Sequence, residues 1–357
     1  MKKLSFSRDR GTDFYHILQK RVSAMLEAKG KTRYADPLML FKIGLYFVLF
    51  FLFYILMYAA PDKLWLFYTT YMLTGLCALL LAFNVSHDAA HHAIFRNKKW
   101  NDLLFSVTFN LQGNNAYVWK KYHIESHHLY TNVHGSDIDV LENPLIRMTS
   151  VQPLRPVHRF QHLYAPFLYL FYSLNWFLVR DTLMAFNKSH RTIFIRLNTL
   201  QSVQLIANKI LYIGYMIVLP VMILPFAWWH VLLAFVLMHF LISVVFTGVL
   251  GVSHLVEEVE HPMADEHAKV QQSWALLQMN TSLDYNVDSK FLNWTLGGFN
   301  AHTLHHLFPN ICHIHYLDMV PILRQTAAEF GIRYNEAPYH KAAASHFRFL
   351  KRMGHEL

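Results

Sequence analysis

The chain has 357 residues, of which 54% are hydrophobic and only 15% are charged, and its formal net charge is +9. Soluble globular proteins carry about 25% charged residues, so this composition excludes an ordinary soluble enzyme and also a disordered chain. In so apolar a chain, the excess of Lys and Arg indicates contact with lipid headgroups rather than with nucleic acid. A second feature of the composition needs its own explanation, because the 24 histidines outnumber the 23 acidic residues.

Four apolar stretches are each long enough to cross the hydrocarbon core of a bilayer, which takes about 20 residues. These stretches are residues 38–60, 64–83, 210–229 and 231–253. Very short links join the first to the second and the third to the fourth, which predicts two transmembrane hairpins. A weaker apolar stretch at 163–179 contains Asn175 and is barely long enough to span. We predict that it forms an interfacial helix on the membrane surface.

The distribution of basic residues predicts the orientation of the chain. Lys and Arg are concentrated before residue 38, between 85 and 208 and after 253, whereas the hairpin tips contain only Lys63. The positive-inside rule therefore predicts cytoplasmic termini and a cytoplasmic central segment. We predict an all-α integral membrane protein with one domain, residues 1–357, in which segments 84–209 and 254–357 form a cytoplasmic helical cap.

Three histidine clusters follow the predicted spans: HDAAHH begins at His87, HIESHH begins at His123, and HTLHH begins at His302. Helical spacings of three or four residues place imidazoles on one face, about 5–6 Å apart at Cβ, which is a chelating arrangement. His87 and His254 each lie 23 residues after the start of a span. At about 1.5 Å per residue, both therefore reach the same membrane edge, and we predict one shared metal site.

Nine of these histidines are candidate metal ligands, more than one tetrahedral zinc ion can use. The candidates are His87, His91, His123, His127, His128, His254, His302, His305 and His306. Two metal ions with four or five nitrogens each would use all nine. Imidazole suits Zn, Cu, Fe and Ni, and the HExxH pattern of zinc proteases is absent, so iron is the best fit.

At these residues the sequence resembles the membrane fatty acid desaturases, and specifically the front-end group that acts on acyl-CoA or acyl lipids. The matching segments are HDAAH, HIESHHLYTNVHGSDIDV, SHLVEEVEHP and LGGFNAHTLHHLFPNICHIHY. Together with the spans, the resemblance extends from about residue 38 to 335. It implies metal ligands at eight of the nine candidates. His302 is a departure, because front-end enzymes usually have Gln there, although a ninth imidazole is chemically reasonable.

The resemblance also implies the chemistry. A diiron centre would use O2 and two electrons to remove two hydrogens from adjacent methylenes, leaving a cis double bond, while the protein supplies placement. Candidate acids for holding the outer imidazole nitrogens are Asp88, Glu125, Asp137, Asp139, Glu257 and Glu258. Candidate residues for an acyl slot are Trp119, Trp294 and Phe299, and Lys120 and Lys121 are candidates for contacting the polar substrate head.

Electrons must come from a partner. The residues before the first span are too few for a fused cytochrome b5 domain, and the HPGG haem motif is absent. We therefore expect a separate ferredoxin, or a cytochrome b5 with its reductase, and a bacterial inner membrane rather than the endoplasmic reticulum.

Two other functions remain open from the sequence. A hydroxylase or ketolase would share the same scaffold, although the HHLFP and SHLVEE flanks favour desaturation. A histidine-rich metal transporter would need polar residues along a path across the bilayer, and the predicted spans contain few.

Overall fold

The structure is a computed structural model, and it describes residues 4–141, 143–186, 195 and 197–356. Most of the regular structure in these residues is helical. The α-helices are α1 (Arg10–Ala28), α2 (Pro37–Leu56), α3 (Leu64–Leu81), α4 (His87–Ala90), α5 (Lys98–Asn110), α6 (Ala116–Tyr122), α7 (His128–Tyr130), α8 (Gln161–Leu170), α9 (Tyr172–Asn175), α10 (Asp181–Phe186), α11 (Thr199–Ile213), α12 (Leu219–Ile223), α13 (Trp228–His254), α14 (Trp274–Thr281), α15 (Lys290–Leu296), α16 (His302–Leu307), α17 (Tyr316–Glu329) and α18 (Tyr339–Met353).

Short elements of other kinds connect these helices. Five-residue π-helical turns occupy Ala82–Ser86, His123–His127, Trp176–Arg180 and Gly214–Val218. Shorter 3-10 helices occupy Ile138–Val140, Pro156–Phe160, Phe299–Ala301 and His313–His315. Two parallel strand pairs join β1 (Ser5–Phe6) to β2 (Lys269–Val270) and β3 (Asp284–Tyr285) to β4 (Glu336–Ala337).

Four helical segments within the described ranges are long and apolar enough to cross a membrane: Pro37–Leu56, Leu64–Ala90, Thr199–Ile223 and Trp228–His254. This confirms the predicted all-α membrane fold with four spans. The large apolar side chains of Phe41, Ile55, Ile210 and Met222 are each more than half exposed on these helices. Such a surface suits contact with lipid tails rather than with water.

The boundaries of all four spans differ from the predicted ones. The first helical segment covers Pro37–Leu56 rather than 38–60, and the second extends to Ala90 rather than to 83. The third helical segment begins at Thr199 rather than at 210 and ends at Ile223, and the fourth begins at Trp228 rather than at 231. The early start of the third follows from its N-cap, because Asn198 and Gln201 form a reciprocal capping box. The polar side chains in its first turns lower the hydropathy without interrupting the helix.

The predicted interfacial helix at 163–179 is a broken helical segment in the structure. It comprises α8, α9 and the π turn Trp176–Arg180, and α8 and α9 pack against α13. The Ser173 hydroxyl lies 2.8 Å from His239 Nδ1 and 2.7 Å from Ser243 Oγ on α13. This segment is therefore held to the helical bundle through polar contacts as well as apolar ones.

The remaining helices build a cap over one end of the hairpins. Helix α1 packs against α14 and α17, and its side chains Phe14, Leu18 and Val22 are almost fully buried there. Helix α18 packs against α8 and α13. The cap closes over the ends of α3 and α13, where the predicted ligands His87 and His254 lie.

Gly297 sits at a close contact between the cap and the first hairpin. Its φ is +63°, and a Cβ atom there would lie 2.3 Å from the Phe83 carbonyl oxygen. We expect Gly297→Ala to lower the free energy of unfolding by about 3 kcal/mol, because it adds both backbone strain and a clash with backbone. Thermal unfolding in detergent measures this. Gly135→Ala is the matched control, since Gly135 has φ +71° but open space around it; equal losses would show that the clash is unimportant.

Candidate metal centre

Five segments bring the nine predicted histidines together. His87 and His91 lie in and just after α4, His254 ends α13, and three others lie on α16. The remaining three are in the π turn His123–His127 and at the start of α7. Their ring nitrogens form two sets, each with all its atoms within 4.8 Å of one another. The first imidazole set is His87, His91, His123, His128 and His305, and the second imidazole set is His127, His254, His302 and His306.

The π turn at His123–His127 explains how two adjacent histidines serve different sets. The backbone N–H of His128 donates to the carbonyl of His123, so these two residues lie one π turn apart. Both therefore face the first imidazole set, and His127 faces the second. Single π turns are often found at functional sites because they shift the register of a helix by one residue.

The hydrogen bonds of two rings show which of their nitrogens is available to bind a metal ion. The Nδ1 atoms of His254 and His127 lie 2.8 Å from the Thr281 carbonyl oxygen and 3.0 Å from an Asp137 carboxylate oxygen, both of which only accept hydrogen bonds. In the neutral rings each Nδ1 therefore carries the proton, and each Nε2 has a lone pair.

Within each imidazole set, several Nε2 atoms lie close together. His306 Nε2 lies 3.2 Å from the Nε2 atoms of both His254 and His302. In the first imidazole set, His128 Nε2 lies 3.0 Å from His123 Nε2 and 2.9 Å from His305 Nε2. Two Nε2 atoms that both carry lone pairs cannot form a hydrogen bond with each other, because neither has a proton to donate. A metal ion at the centre of each set would satisfy them, so the arrangement is that of a metal-binding cluster.

Burial keeps most of these rings neutral. It lowers the pKa of six histidines well below 6.5, and the neighbouring imidazoles add to the effect: His91, His123, His128, His302, His305 and His306. His127 differs, because burial lowers its pKa but the nearby Asp137 and Asp139 carboxylates outweigh burial and raise it. Neutral imidazole is the form that binds metals.

We expect the metal-free protein to lose stability as the pH falls below 6.5. The unfolded chain binds protons on these histidines in that range, whereas the folded chain does not, so acid favours unfolding. His127, whose pKa is raised, has the opposite effect on stability, but the six histidines with lowered pKa values outweigh it. Thermal unfolding of the metal-stripped protein at several pH values between 7.5 and 5 measures the trend, and His305→Gln should make it shallower. A melting temperature that stayed constant or rose toward acid would contradict this expectation.

Two of the six predicted acids contact an imidazole of the cluster. Asp137 is fully buried and accepts hydrogen bonds from the backbone N–H groups of Asn132 and Asp139, at 2.8 and 3.0 Å, as well as facing His127. Asp139 Oδ2 lies 3.5 Å from His127 Nδ1, and its other oxygen accepts from Arg180. Both acids therefore hold the same ring of the second imidazole set.

The other four predicted acids have different partners in the structure. Asp88 pairs with His313 at 2.7 Å, Glu125 with Lys121 at 2.5 Å, Glu257 with Arg348 at 2.7 Å, and Glu258 accepts from Ser345 at 2.5 Å. Glu125 lies on the solvent side of its π turn, where Lys121 is one helical turn away. Asp88 follows a ligand candidate in sequence, but its carboxylate points to the segment after α16.

Asp284 is a site residue that the sequence reasoning missed. Its Oδ1 accepts from the backbone N–H and the hydroxyl of Thr303, at 2.7 and 2.9 Å, and Oδ2 accepts from the Tyr334 hydroxyl at 2.6 Å. Burial raises the pKa of Asp284 to about 6. The contact fixes the first turn of α16, which carries three of the nine imidazoles. Asp284 lies in a two-residue strand with no motif around it, so no local signal identified it.

Lys42 in α2 is a second missed contact near the cluster. Its Nζ lies 2.9 Å from His313 Nε2, and His313 in turn pairs with Asp88. The Trp294 ring lies 4.7 Å from the same Nζ. Trp294 was predicted to line an acyl slot, but the structure places it over this buried ammonium instead.

A cavity of about 950 Å³ lies beside the metal-binding cluster, and its lining includes His87, His123, His127, His254 and His302. Most of its wall is apolar. Its lining includes Thr74, Gly75, Tyr215 and Met238 in the spans, and Ile138, Val140, Met148, Tyr169 and His346 outside them.

Two predicted slot residues line this cavity. Trp119 stacks on His123 with ring centroids 4.2 Å apart, and Phe299 contacts His87 at 4.5 Å. The predicted head-binding lysines have protein partners, since Lys120 pairs with Asp102 at 2.6 Å and Lys121 pairs with Glu125.

The structure is that of a helical membrane protein in which two sets of imidazoles, able to hold metal ions, converge beside a mostly apolar cavity. Residues 63–338 match the family model described as fatty acid desaturase, so the chain belongs to the fatty acid desaturase family. It is 31% identical to the sn-1 linoleoyl-lipid 6-desaturase of Synechocystis sp., over 99% of this chain and 98% of that protein.

Other relatives have similar names. The chain is 28% identical to the sn-1 linoleoyl-lipid 6-desaturase of Arthrospira platensis, over 98% of this chain and 95% of the relative. It is also 28% identical to the acyl-lipid (8-3)-desaturase B of Dictyostelium discoideum, over 97% of this chain and 76% of the relative. The resemblance to front-end desaturases is confirmed. The chain is a membrane-bound oxidoreductase that acts on a lipid substrate and takes electrons from a donor.

Proposed function

We propose that this protein is an acyl-lipid desaturase that introduces a cis double bond near the carboxyl end of a fatty acyl chain, using two irons, O2 and two electrons. The observation that carries the proposal is the convergence of both imidazole sets on the wall of one apolar cavity. The names of the relatives support a lipid-linked chain and a position near carbon 6.

The nine imidazoles are the proposed iron ligands, five in the first imidazole set and four in the second. When bound, the irons supply the oxidising power that no side chain has, and zinc is unsuitable because it has no redox chemistry. Asp137 and the Thr281 carbonyl each hold one ring by its Nδ1–H. Such contacts fix the orientation of a ligand ring and raise its basicity.

The cavity supplies the placement of the acyl chain. Its apolar walls exclude water and hold the methylenes in line beside the imidazole clusters. Trp119 and Phe299 form the wall next to His123 and His87. Gly75 and Met238 line the cavity between the spans and are the proposed surroundings of the methyl end of the chain.

We further propose that the cluster faces the cytoplasm of a bacterial cell and that a separate ferredoxin or cytochrome b5 delivers the electrons. The concentration of Lys and Arg outside the hairpin tips supports this orientation. The exposed side chains of Arg96, Lys98 and Lys99 lie on that face, where anionic headgroups or an acidic donor would approach.

Expression in a host with simple lipids, fed linoleate, tests the proposal. We expect a new fatty acid that is lighter by two hydrogens, with its new double bond near carbon 6, and about two irons per purified chain. A product heavier by one oxygen would instead identify a hydroxylase. An active preparation with stoichiometric zinc and no iron would contradict the metal assignment.

A further inference from the structure

The cavity wall contains a cationic site in addition to imidazoles of the metal-binding cluster. Arg180, at the end of a π turn, lines the cavity with about 20% of its side chain exposed, and Tyr122, Asp139 and Trp176 line the cavity beside it. The Tyr122 hydroxyl is buried and has no hydrogen-bond partner among the described residues. A buried hydroxyl without a partner costs about 1–3 kcal/mol, so a bound ligand that accepts from it would recover this energy.

The Arg180 guanidinium has more N–H donors than its two protein contacts use. Its Nη2 donates to Asp139 at 2.7 Å, and its Nη1 lies 3.4 Å from the Tyr172 hydroxyl. A guanidinium has five N–H donors, and no other acceptor for them occurs in the part of the chain that the structure describes. The rings of Trp176 and Tyr122 lie 4.6 and 5.4 Å from its central carbon and hold it in position.

The charge of this site selects the kind of ligand. Asp139 already neutralises Arg180, so the pair offers hydrogen bonds without a net positive charge. A phosphate or a free carboxylate would meet the Asp139 carboxylate at close range, which is unfavourable. A neutral carbonyl oxygen accepts from the remaining donors without that cost. In a cavity for acyl chains, the carbonyl of the ester or thioester is the matching group.

On this basis, which rests on the proposed desaturase function, we propose that Arg180 and Tyr122 bind the carbonyl oxygen of the acyl ester or thioester and thereby set the position of the double bond. The same Asp139 that pairs with Arg180 lies 3.5 Å from His127 Nδ1. The Asp139 carboxylate and the His127 ring therefore lie between the Arg180 guanidinium and the converging nitrogens of the second imidazole set. The distance from the guanidinium to these nitrogens is on the order of 10 Å.

This distance favours the carboxyl-side half of the chain as the site of reaction. An extended alkyl chain advances roughly 1.3 Å per bond, so a carbonyl held at Arg180 brings only the first several methylenes beside the imidazoles. The rest of the chain would extend toward Gly75 and Met238, which line the same cavity between the spans. The position of the double bond would then be set by its distance from the carbonyl rather than from the methyl end.

Competition between two substrates tests the proposal directly. The probes are a glycerolipid with an ester-linked linoleoyl chain and the same lipid with the chain ether-linked, which lacks only the carbonyl oxygen. We expect the wild-type protein to convert the ester about 10-fold faster. In Tyr122→Phe and Arg180→Gln this ratio should fall to about 2-fold or less, with new double bonds at neighbouring positions, and Arg180→Lys should restore part of it.

The ratio is independent of how much protein is active, so partial unfolding of a variant does not affect it. Tyr339→Phe is the matched control, because its hydroxyl contacts Gly248 outside the cavity, and it should keep the wild-type ratio. Linoleoyl-CoA assayed in parallel distinguishes a thioester carrier from a lipid ester. Equal rates for ester and ether in an active wild-type protein, or an unchanged ratio in both variants, would overturn this inference alone. The absence of any desaturated product from the wild type would instead refute the proposed function.

Discussion

The His305→Ala variant is expected to lose more than about 100-fold of its desaturase activity and most of its bound metal. His305 Nε2 lies 2.9 Å from His128 Nε2 at the centre of the first imidazole set. Loss of this ring removes one of five donors from the set, a larger change than losing a residue that only supports a ligand, which costs 10–100-fold. Product formation and iron content per chain measure the two effects together.

His267→Ala is the matched control, because the His267 side chain is 81% exposed and its nearest charged partner is Glu266. We expect this variant to keep its iron and to stay within about two-fold of wild-type activity. Wild-type iron content and activity in His305→Ala would refute the assignment of His305 as a ligand. Equal losses in both variants would point to a general effect of removing histidine.

The Asp137→Ala variant is expected to release its metal 10–100-fold more readily and to lose about 3 kcal/mol of unfolding free energy. Asp137 is fully buried, and its removal leaves the Nδ1–H of His127 and the N–H groups of Asn132 and Asp139 without their acceptor. Competition with a chelator measures the metal affinity, and thermal unfolding in detergent measures the stability.

Glu257→Gln provides the comparison for Asp137→Ala. The sequence made both acids candidates for holding an imidazole, but Glu257 pairs with the exposed Arg348 instead. Exposed ion pairs contribute about 0–1 kcal/mol, so this variant should retain its metal. A metal loss in Glu257→Gln as large as in Asp137→Ala would show that the contacts described here do not determine metal affinity.

The four spans and the nine histidines could be predicted because their signals are local. A span needs only a run of apolar residues, and a chelating pair such as His87 and His91 needs only its spacing. The start of the third span could not be predicted in the same way. Thr199 begins the helix because of the Asn198 cap, while Gln201 and Gln204 mask the helix in a hydropathy pattern.

The partners of the imidazoles could not be predicted because they come from distant parts of the chain. His254 is held by the carbonyl of Thr281, a group that every residue has. Asp88 lies next to His87 in sequence but bonds His313, which is 225 residues away. The division into two sets also depends on a π turn, and no residue pattern in HIESH distinguishes a π turn from an α-helix.

The interleaving of ligands and hairpins constrains how the protein is made. His87 follows the first hairpin, His254 follows the second, and α16 with its three histidines is synthesised later still. Under the proposed ligand set, neither metal site is complete until all four spans are in the bilayer. A hairpin inserted the wrong way round would leave its histidines on the opposite side of the membrane. The metal content of the purified protein is therefore also a measure of the fraction of chains whose insertion was correct.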